Sequence, residues 1–174
     1  MAFKKRSWNM VIPTSSGPLL GKEYIFRLIK NIGLWVRILY MEKRPFHVKL
    51  SLRDLTALPD EKIAPEEGLL SILKGTHKPG PDLSRYTDFQ KKVLKKTMEI
   101  PFGETLSYKE LAESLGTAPR PVGQALRCNR TPLFIPCHRV VSSNGGLGGF
   151  SQGLQVKSML LRFEIARSDG KCSM

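Results

Sequence analysis

The chain has 174 residues, 41% of them hydrophobic and 25% charged, which is the composition of an ordinary globular protein of one large or two small domains. No apolar run reaches the roughly 20 residues that a membrane span requires, and a faint signal-peptide pattern ends at Pro13. The three cysteines fit neither a disulfide framework nor a zinc site. These features predict an intracellular protein with no membrane partner, located in the cytoplasm or, in a eukaryote, in the nucleus.

The charge is strongly basic. Twenty-eight Lys and Arg against fifteen Asp and Glu give a formal net charge of +13, which favours a polyanionic partner. Between Glu113 and Glu164 the chain has no carboxylate and six basic side chains. Such a one-signed stretch can neutralise phosphates, although on charge alone a solvated basic surface explains it equally well.

Strand patterns come first along the chain. Residues 46–52 alternate between apolar and polar side chains, with the period of a half-buried strand, and residues 35–40 form a plausible partner strand. Residues 66–74 are typical of a short helix. The first part is therefore predicted to be an α/β (α+β) domain with a small β-sheet.

Residues 75–84 interrupt these patterns with glycine and proline, so we place a domain boundary there. The prediction is an N-terminal α/β domain over residues 1–80. A mainly helical C-terminal domain of the winged-helix, helix-turn-helix type is predicted over residues 81–174.

Two capping boxes mark helix starts in the second part. Thr87 with Gln90 begins a helix that reaches about Met98, and Ser107 with Glu110 begins the next one. The stripe of that next helix consists of Tyr108, Leu111, Ala112 and Leu115. Its predicted end is a glycine, Gly116.

A third helix follows, for which Thr117 is the predicted cap, with Pro119 and Pro121 in the first turn. Together with the preceding helix it forms a predicted helix-turn-helix. Its apolar side consists of Val122, Ala125 and Leu126. Its opposite face consists of Arg120, Gly123, Gln124 and Arg127. Cations around a glycine suit close approach to nucleic acid, whereas an ordinary surface helix is the alternative.

The chemical centre is predicted around Cys137, after a run at residues 133–135 that is typical of a buried strand. A thiol attacks only as thiolate, and a neighbouring histidine or arginine lowers its pKa; here His138 and Arg139 follow directly. In an extended segment Cys137 and His138 point to opposite faces. A relay such as a water is then required if the imidazole is the base.

The last helix supplies a candidate carboxylate. Leu160, Leu161 and Glu164 share one face, so the carboxylate is expected to point into the core, where it needs a partner. Glu164 orienting His138, which activates Cys137, makes a nucleophile, base and orienter set. The alternative is an inert core cysteine.

These motifs resemble one family. Pro136–Cys137–His138–Arg139–Val140, preceded by Arg120–Pro121–Val122–Gly123–Gln124–Ala125–Leu126 and by Asn129, is similar to the O6-alkylguanine-DNA alkyltransferases (methylated-DNA–protein-cysteine methyltransferases). The resemblance runs from Thr87 to Glu164 in uninterrupted order. Residues 1–80 contain no diagnostic motif.

The resemblance implies roles for the residues of the centre. Cys137 is implied as the alkyl acceptor, His138 as the base that deprotonates it through a water, and Glu164 as the carboxylate that orients the histidine. Asn129 is implied to tie the recognition helix to the active-site loop, although a helix cap or turn is its alternative. Tyr108 is implied to rotate the base and to protonate guanine, with a purely core role as the alternative.

It also implies how DNA and substrate are held. Arg120 matches the arginine that occupies the space of a flipped-out nucleotide, on the face whose other predicted DNA-binding members are Gly123, Gln124 and Arg127. The implied pocket residues are Ser151, near guanine O6, Phe150, which stands where many members have tyrosine, and Val140. Pro121 replaces a common alanine. The N-terminal part lacks the cysteines and histidines that bind zinc in some members, so no metal and no cofactor are predicted.

The activity implied is DNA repair by a monomer that acts on double-stranded DNA containing O6-alkylguanine. The methyl or alkyl group passes irreversibly and once to Cys137 after the base is flipped out of the stack. Three alternatives stay open. They are a damage-binding protein without chemistry, disfavoured by Cys137; a cysteine hydrolase, which predicts turnover; and a helix-turn-helix transcription factor, weakened because Gln124 and Arg127 are few for base readout.

Overall fold

The computed structural model describes residues 22–29, 34–41, 44–52, 63–64, 66–77 and 80–168. Within these residues the chain has an α/β fold with two small sheets and several helices. The strands are β1 (Lys22–Ile29), β2 (Leu34–Met41), β3 (Arg44–Ser51), β4 (Ile63–Ala64), β5 (Leu106–Ser107) and β6 (Val140–Val141). The helices are α1 (Glu66–Leu73), α2 (Asp88–Met98), α3 (Tyr108–Glu113), α4 (Pro119–Arg127) and α5 (Leu154–Ser168). None of the described helices combines the length and apolar character of a membrane span.

The first sheet has the strand order β3-β2-β1-β4. Neighbours β1, β2 and β3 pair antiparallel, whereas β4 lies parallel to β1. The strands predicted at residues 35–40 and 46–52 are confirmed as β2 and β3, and the helix predicted at 66–74 is confirmed as α1. The alternation that predicted them is the one that buries Val36, Ile38, Val48 and Leu50 on one face.

This sheet packs on later parts of the chain. Its hydrophobic core includes Leu133, Phe134, Val156 and Leu160, which come after the helix-turn-helix in the sequence. The amide of Val48 also donates to the carbonyl of Arg130 over 2.8 Å. The packing therefore connects the first sheet to the segments that flank Cys137.

Both predicted capping boxes are present. Thr87 and Gln90 exchange hydrogen bonds at the start of α2, and Ser107 and Glu110 do so at the start of α3. Gly116 follows α3 with φ of +62°, a left-handed conformation that glycine adopts at little cost. The capping pattern thus predicted α2 and α3 to within a residue or two.

The prediction for the start of α4 was one residue early. Ala118, not Thr117, is the N-cap, and no side chain caps the helix. Pro119 and Pro121 occupy the first turn as predicted, where their fixed φ suits the helix and a missing amide proton costs little. Helices α2, α3 and α4 enclose a second core, to which α4 contributes the predicted apolar side, Val122, Ala125 and Leu126.

The strand predicted at residues 133–135 is wrong. Leu133 has φ of +79°, and the amide of Ile135 turns back to the carbonyl of Thr131 over 3.0 Å. Cys137–Arg139 then forms a 3-10 turn rather than an extended segment. The run is apolar because all of it is buried, and burial alone does not distinguish a strand from a compact turn.

Candidate active site

A cavity of about 650 Å³ opens beside α4. Its wall includes the whole polar face predicted for that helix, Arg120, Gly123, Gln124 and Arg127. The remaining lining residues are Tyr108, Leu126, Cys137, Gly149, Phe150 and Ser151. The guanidinium-bearing residues of α4 are exposed, whereas Cys137 is only 6% exposed. The fold therefore places one recessed thiol beside a basic helix face.

Asn129 holds the thiol in place. The asparagine side chain follows α4 and is buried. Its Nδ2 donates to Sγ of Cys137 over 3.0 Å and to the carbonyl of Ile135 over 2.9 Å, while its Oδ1 accepts from the amide of Thr131. One side chain thus joins the end of α4 to the 3-10 turn. The helix cap considered for Asn129 is taken by Cys128 instead.

Burial dominates the ionisation of Cys137. It raises the pKa of the thiol to about 11, while the hydrogen bond from Asn129 and the charge of Lys157 act to lower it. The expectation that His138 and Arg139 lower this pKa through sequence proximity is therefore wrong. In the 3-10 turn Arg139 points to Glu164 instead. A thiol in this state needs a proton acceptor before it can attack.

His138 and Glu164 form the predicted pair. Nε2 of His138 lies 2.8 Å from Oε1 of Glu164, and both side chains are buried. Burial alone raises the pKa of Glu164, but the hydrogen bonds and charges of His138 and Arg139 outweigh it and lower the pKa to about 2. An ionised carboxylate can only accept, so Nε2 carries the proton and Nδ1 keeps its lone pair. Among the described protein groups, that buried Nδ1 has no hydrogen-bond partner.

Sequence reasoning missed the partner of Glu164 on its other side. Nε of Arg139 donates to Oε2 over 2.8 Å and Nη2 donates to Oε1 over 2.9 Å. The amide of Gly103 adds a third contact, to Oε2 at 3.1 Å. The basic residue of the motif was visible in the sequence, but nothing in its neighbourhood pointed to a carboxylate 25 residues away.

Lys157 was also missed. It is fully buried, and its Nζ donates to the carbonyls of Val140 at 2.6 Å and Gly149 at 3.2 Å. Burial lowers the pKa of Lys157 to about 8. The only signal in the sequence was that Lys157 lies on the face of α5 that also carries Leu160, Leu161 and Glu164.

Tyr108 lines the cavity and is hydrogen-bonded to the segment before α5. Its hydroxyl donates to the carbonyl of Gly149 over 3.2 Å. Burial, and secondly the charge of Cys137, raise the pKa of Tyr108, so the phenol remains a proton donor. Phe150 packs edge-on to the His138 ring, with centroids 6.5 Å apart. A hydrogen bond thus connects the half-buried phenol to the segment before α5, which forms part of the cavity wall.

Among the predicted pocket residues, Phe150 and Ser151 line the cavity, but Val140 does not. Val140 is fully buried in β6, paired with Leu106 of β5, and its carbonyl accepts from Lys157. The Val140 side chain does not reach the cavity because the short parallel pairing of β5 with β6 directs it into the second core.

The site combines a recessed cysteine, a neighbouring histidine–glutamate pair and a cavity beside a helix-turn-helix. These features define a class of proteins that have a reactive thiol next to a nucleic-acid-binding motif. Residues 88–166 match the family described as 6-O-methylguanine DNA methyltransferase, DNA binding domain. Over this C-terminal region the chain is thus similar to the O6-methylguanine DNA methyltransferase family.

Named relatives agree. A methylated-DNA–protein-cysteine methyltransferase of Saccharolobus solfataricus is 50% identical over 76 residues, which are 44% of this chain and 50% of the relative. One of Methanocaldococcus vulcanius is 51% identical over 78 residues, 45% of this chain and 48% of the relative. The chain thus spans about half the length of the curated relatives it matches.

Solved structures extend the likeness to most of the chain. An O6-methylguanine-DNA methyltransferase of Pyrococcus kodakaraensis superimposes with a TM-score of 0.63 at 24% identity, covering 83% of this chain and 97% of that one, which shows a common fold. The Mycobacterium tuberculosis OGT in complex with DNA gives a TM-score of 0.57 at 29% identity, covering 83% and 94%.

Proposed function

We propose that this protein repairs DNA by direct reversal, transferring a methyl or larger alkyl group from O6-alkylguanine in duplex DNA to its own Cys137. The observation that carries the proposal is a single thiol recessed in a cavity whose rim is the basic face of α4. The family match, and a related protein crystallised in complex with DNA, support the same activity. The transfer is irreversible and stoichiometric, because a thioether has no route back to the thiol within this site.

Activation of the thiol proceeds through His138. Its neutral imidazole offers a free Nδ1, and a bridging water carries the thiol proton to it, which makes His138 the base and Glu164 its orienter. Asn129, already hydrogen-bonded to Sγ, stabilises the thiolate as it forms. Hydrogen bonds to a developing anion are stronger than those to a neutral group, so the same contact favours the reaction.

The bond changes balance without a cofactor or metal. Sγ of Cys137 forms a bond to the alkyl carbon, the bond from that carbon to O6 breaks, and its electron pair stays on guanine. The thiol proton goes to His138, which releases it to solvent after the transfer. Tyr108 donates a proton to the leaving guanine and recovers one from solvent when the normal base has left. The products are S-alkylcysteine and unmodified guanine.

The α4 face provides recognition. Arg127, Gln124 and the backbone at Gly123 contact the DNA, while Arg120 fills the space that the everted nucleotide leaves in the duplex. A base must leave the stack because its O6 is otherwise out of reach, and extrusion costs a few kcal/mol. A cation that replaces the base in the stack is also favoured by the surrounding phosphates.

The pocket residues then hold the everted base. Ser151 lies in the cavity wall, where it can contact O6, and Phe150 covers the base as an aromatic lid. We further propose that the protein works as a monomer with an N-terminal α/β domain (residues 1–80) and a C-terminal winged-helix domain (residues 81–174). Its compartment is the cytoplasm, or the nucleus in a eukaryotic cell.

The test is mass spectrometry after incubation with a duplex carrying O6-methylguanine. The expected result is one added methyl group per protein, located on Cys137, and none in Cys137→Ala, which still binds the duplex. The matched control is Cys128→Ala, which removes an exposed thiol and is expected to accept the methyl group normally. Methylation of Cys128, or repeated turnover with an unmodified protein, contradicts the proposal; turnover would favour a cysteine hydrolase.

A further inference from the structure

The geometry points to Arg139 as a positioning residue that fixes the Glu164 carboxylate, and through it the reactive tautomer of His138. This inference rests on the proposed function in so far as His138 is the base. Arg139 is not among the residues that line the cavity. Arg139 lies behind the His138 imidazole, on the side of the site that faces helix α1.

The contacts account for both oxygens of Glu164. Oε1 accepts from Nε2 of His138 and from Nη2 of Arg139, at 2.8 and 2.9 Å. Oε2 accepts from Nε of Arg139 and from the amide of Gly103, at 2.8 and 3.1 Å. A two-pronged guanidinium fixes the plane of a carboxylate as well as its position. That plane determines which oxygen faces the imidazole.

The guanidinium is itself fixed from two other elements. Nη1 donates to the carbonyl of Ile100, after α2, over 2.7 Å, and Nη2 donates to the carbonyl of Leu73, the last residue of α1, over 2.6 Å. All of this lies in the interior, since Arg139 is 3% exposed. A lysine is a point donor on a flexible stem and cannot reproduce this four-way arrangement.

The consequence concerns the proton on His138. With Glu164 held ionised and accepting at Nε2, the neutral ring has its proton on Nε2 and its lone pair on Nδ1. Without the guanidinium, the carboxylate loses two of its four donors and can turn away. The proton then distributes between the two nitrogens, and the fraction of rings able to accept a thiol proton falls.

The experiment compares wild type with Arg139→Lys by ¹⁵N NMR of the histidine side chains and by two rates. One rate is transfer from free O6-benzylguanine; the other is alkylation of Cys137 by iodoacetamide, which needs no guanine. Arg162→Lys is the matched control, because Arg162 is exposed on α5 two residues before Glu164. Thermal melting of every variant is recorded alongside.

We expect His138 to be the Nε2–H tautomer in wild type and in Arg162→Lys, and a mixture of tautomers in Arg139→Lys. Both rates should fall at least about tenfold in Arg139→Lys. Guanidinium ion should restore part of the loss in Arg139→Ala. In a Glu164→Gln background, Arg139→Lys should cause no further loss, because the residue acts only through that carboxylate.

An Arg139→Lys protein that melts lower but keeps both rates and a single tautomer overturns the inference and leaves a structural ion pair. If that variant does not fold, the wild type decides: an Nδ1–H tautomer at His138 overturns the inference directly. Failure of the proposed function is distinguishable, since wild type would then not accept benzyl from benzylguanine, whereas the iodoacetamide rate still reports on Arg139.

Discussion

Two separate sets of charged residues lie near Cys137, and they differ in their exposure to water. On α4, Arg120 and Arg127 are exposed at the rim of the cavity. Behind the cavity, Arg139 and Glu164 are buried and bonded to each other. The exposed set keeps its hydration until a partner displaces it, whereas the buried set has exchanged water for fixed protein partners during folding.

This difference determines what each set can control. Surface charges contribute little to folding stability, so loss of one at the rim is expected to affect only the binding of duplex DNA and the extrusion of its base. Removing one partner of a buried pair leaves an uncompensated charge. Such a change should lower stability and slow the reaction with every alkyl donor, large or small.

The largest effect is expected for Glu164→Gln. The rate of transfer from free O6-benzylguanine should fall about a hundredfold, because His138 loses the acceptor that sets its tautomer. The free energy of unfolding should fall by about 3 kcal/mol, since the Arg139 guanidinium stays buried opposite a neutral amide. Single-turnover kinetics and urea denaturation measure the two effects.

The control is Glu99→Gln, which removes a surface carboxylate paired with Lys96 and should change neither quantity measurably. The stability of Glu164→Gln should also depend less on pH in the acid range than the stability of wild type. The pKa of Glu164 in the folded protein is lowered to about 2, below an unfolded value of about 4.3. The contribution of Glu164 to stability is thus complete above about pH 5 and is lost progressively as the pH falls from there to below about 2. An identical acid profile for wild type and Glu164→Gln contradicts this assignment.

An intermediate and selective effect is expected for Arg120→Ala. Transfer from duplex DNA should slow by about tenfold, equivalent to about 1.4 kcal/mol of lost stabilisation of the extruded state. Transfer from free O6-benzylguanine should stay within a factor of about two, because no base has to be flipped. Arg162→Ala, exposed and outside the cavity, is the control. Equal slowing with both donors would contradict a role of Arg120 in base flipping. It would also contradict the difference drawn between the exposed and the buried charged residues.

The smallest effect is expected for Gly148→Ala, compared with Gly145→Ala. Both glycines have positive φ, +68° and +81°, so alanine at either position costs about 1 kcal/mol. At Gly148 the new Cβ would also lie 2.8 Å from the Tyr108 ring, while at Gly145 it meets nothing within 4 Å. The melting temperature should fall by about 3 °C in Gly145→Ala and by more in Gly148→Ala, where the ring must also move, and only Gly148→Ala should slow transfer. Equal transfer rates in the two variants would contradict a role of Tyr108 in the transfer reaction.

Local signals predicted the helices better than the segment around the thiol. The boxes Thr87–Gln90 and Ser107–Glu110 depend on residues three apart, and both formed as predicted. The extended segment predicted at Cys137 is a 3-10 turn in the structure. Every residue from Thr131 to Val140 is buried, so this stretch has no alternation of buried and exposed positions from which its conformation could be predicted.

The buried site was predictable only in part. The apolar stripe of α5 indicated that Glu164 faces the core, and the structure has it on His138. The roles of Arg139 and Lys157 were not predictable, because their partners are distant in sequence: the carbonyl of Leu73 lies 66 residues before Arg139, and that of Val140 lies 17 residues before Lys157.

The amino-acid sequence by itself determined the helix starts, the basic face of α4 and the family motif around Cys137, because these depend on residues a few positions apart. Only the tertiary structure decided that the thiol is recessed and that Arg139 serves Glu164 rather than the sulfur. Desolvation and Coulomb interactions depend on distances in space, so they are settled only when α1, α2 and α5 meet around the 3-10 turn.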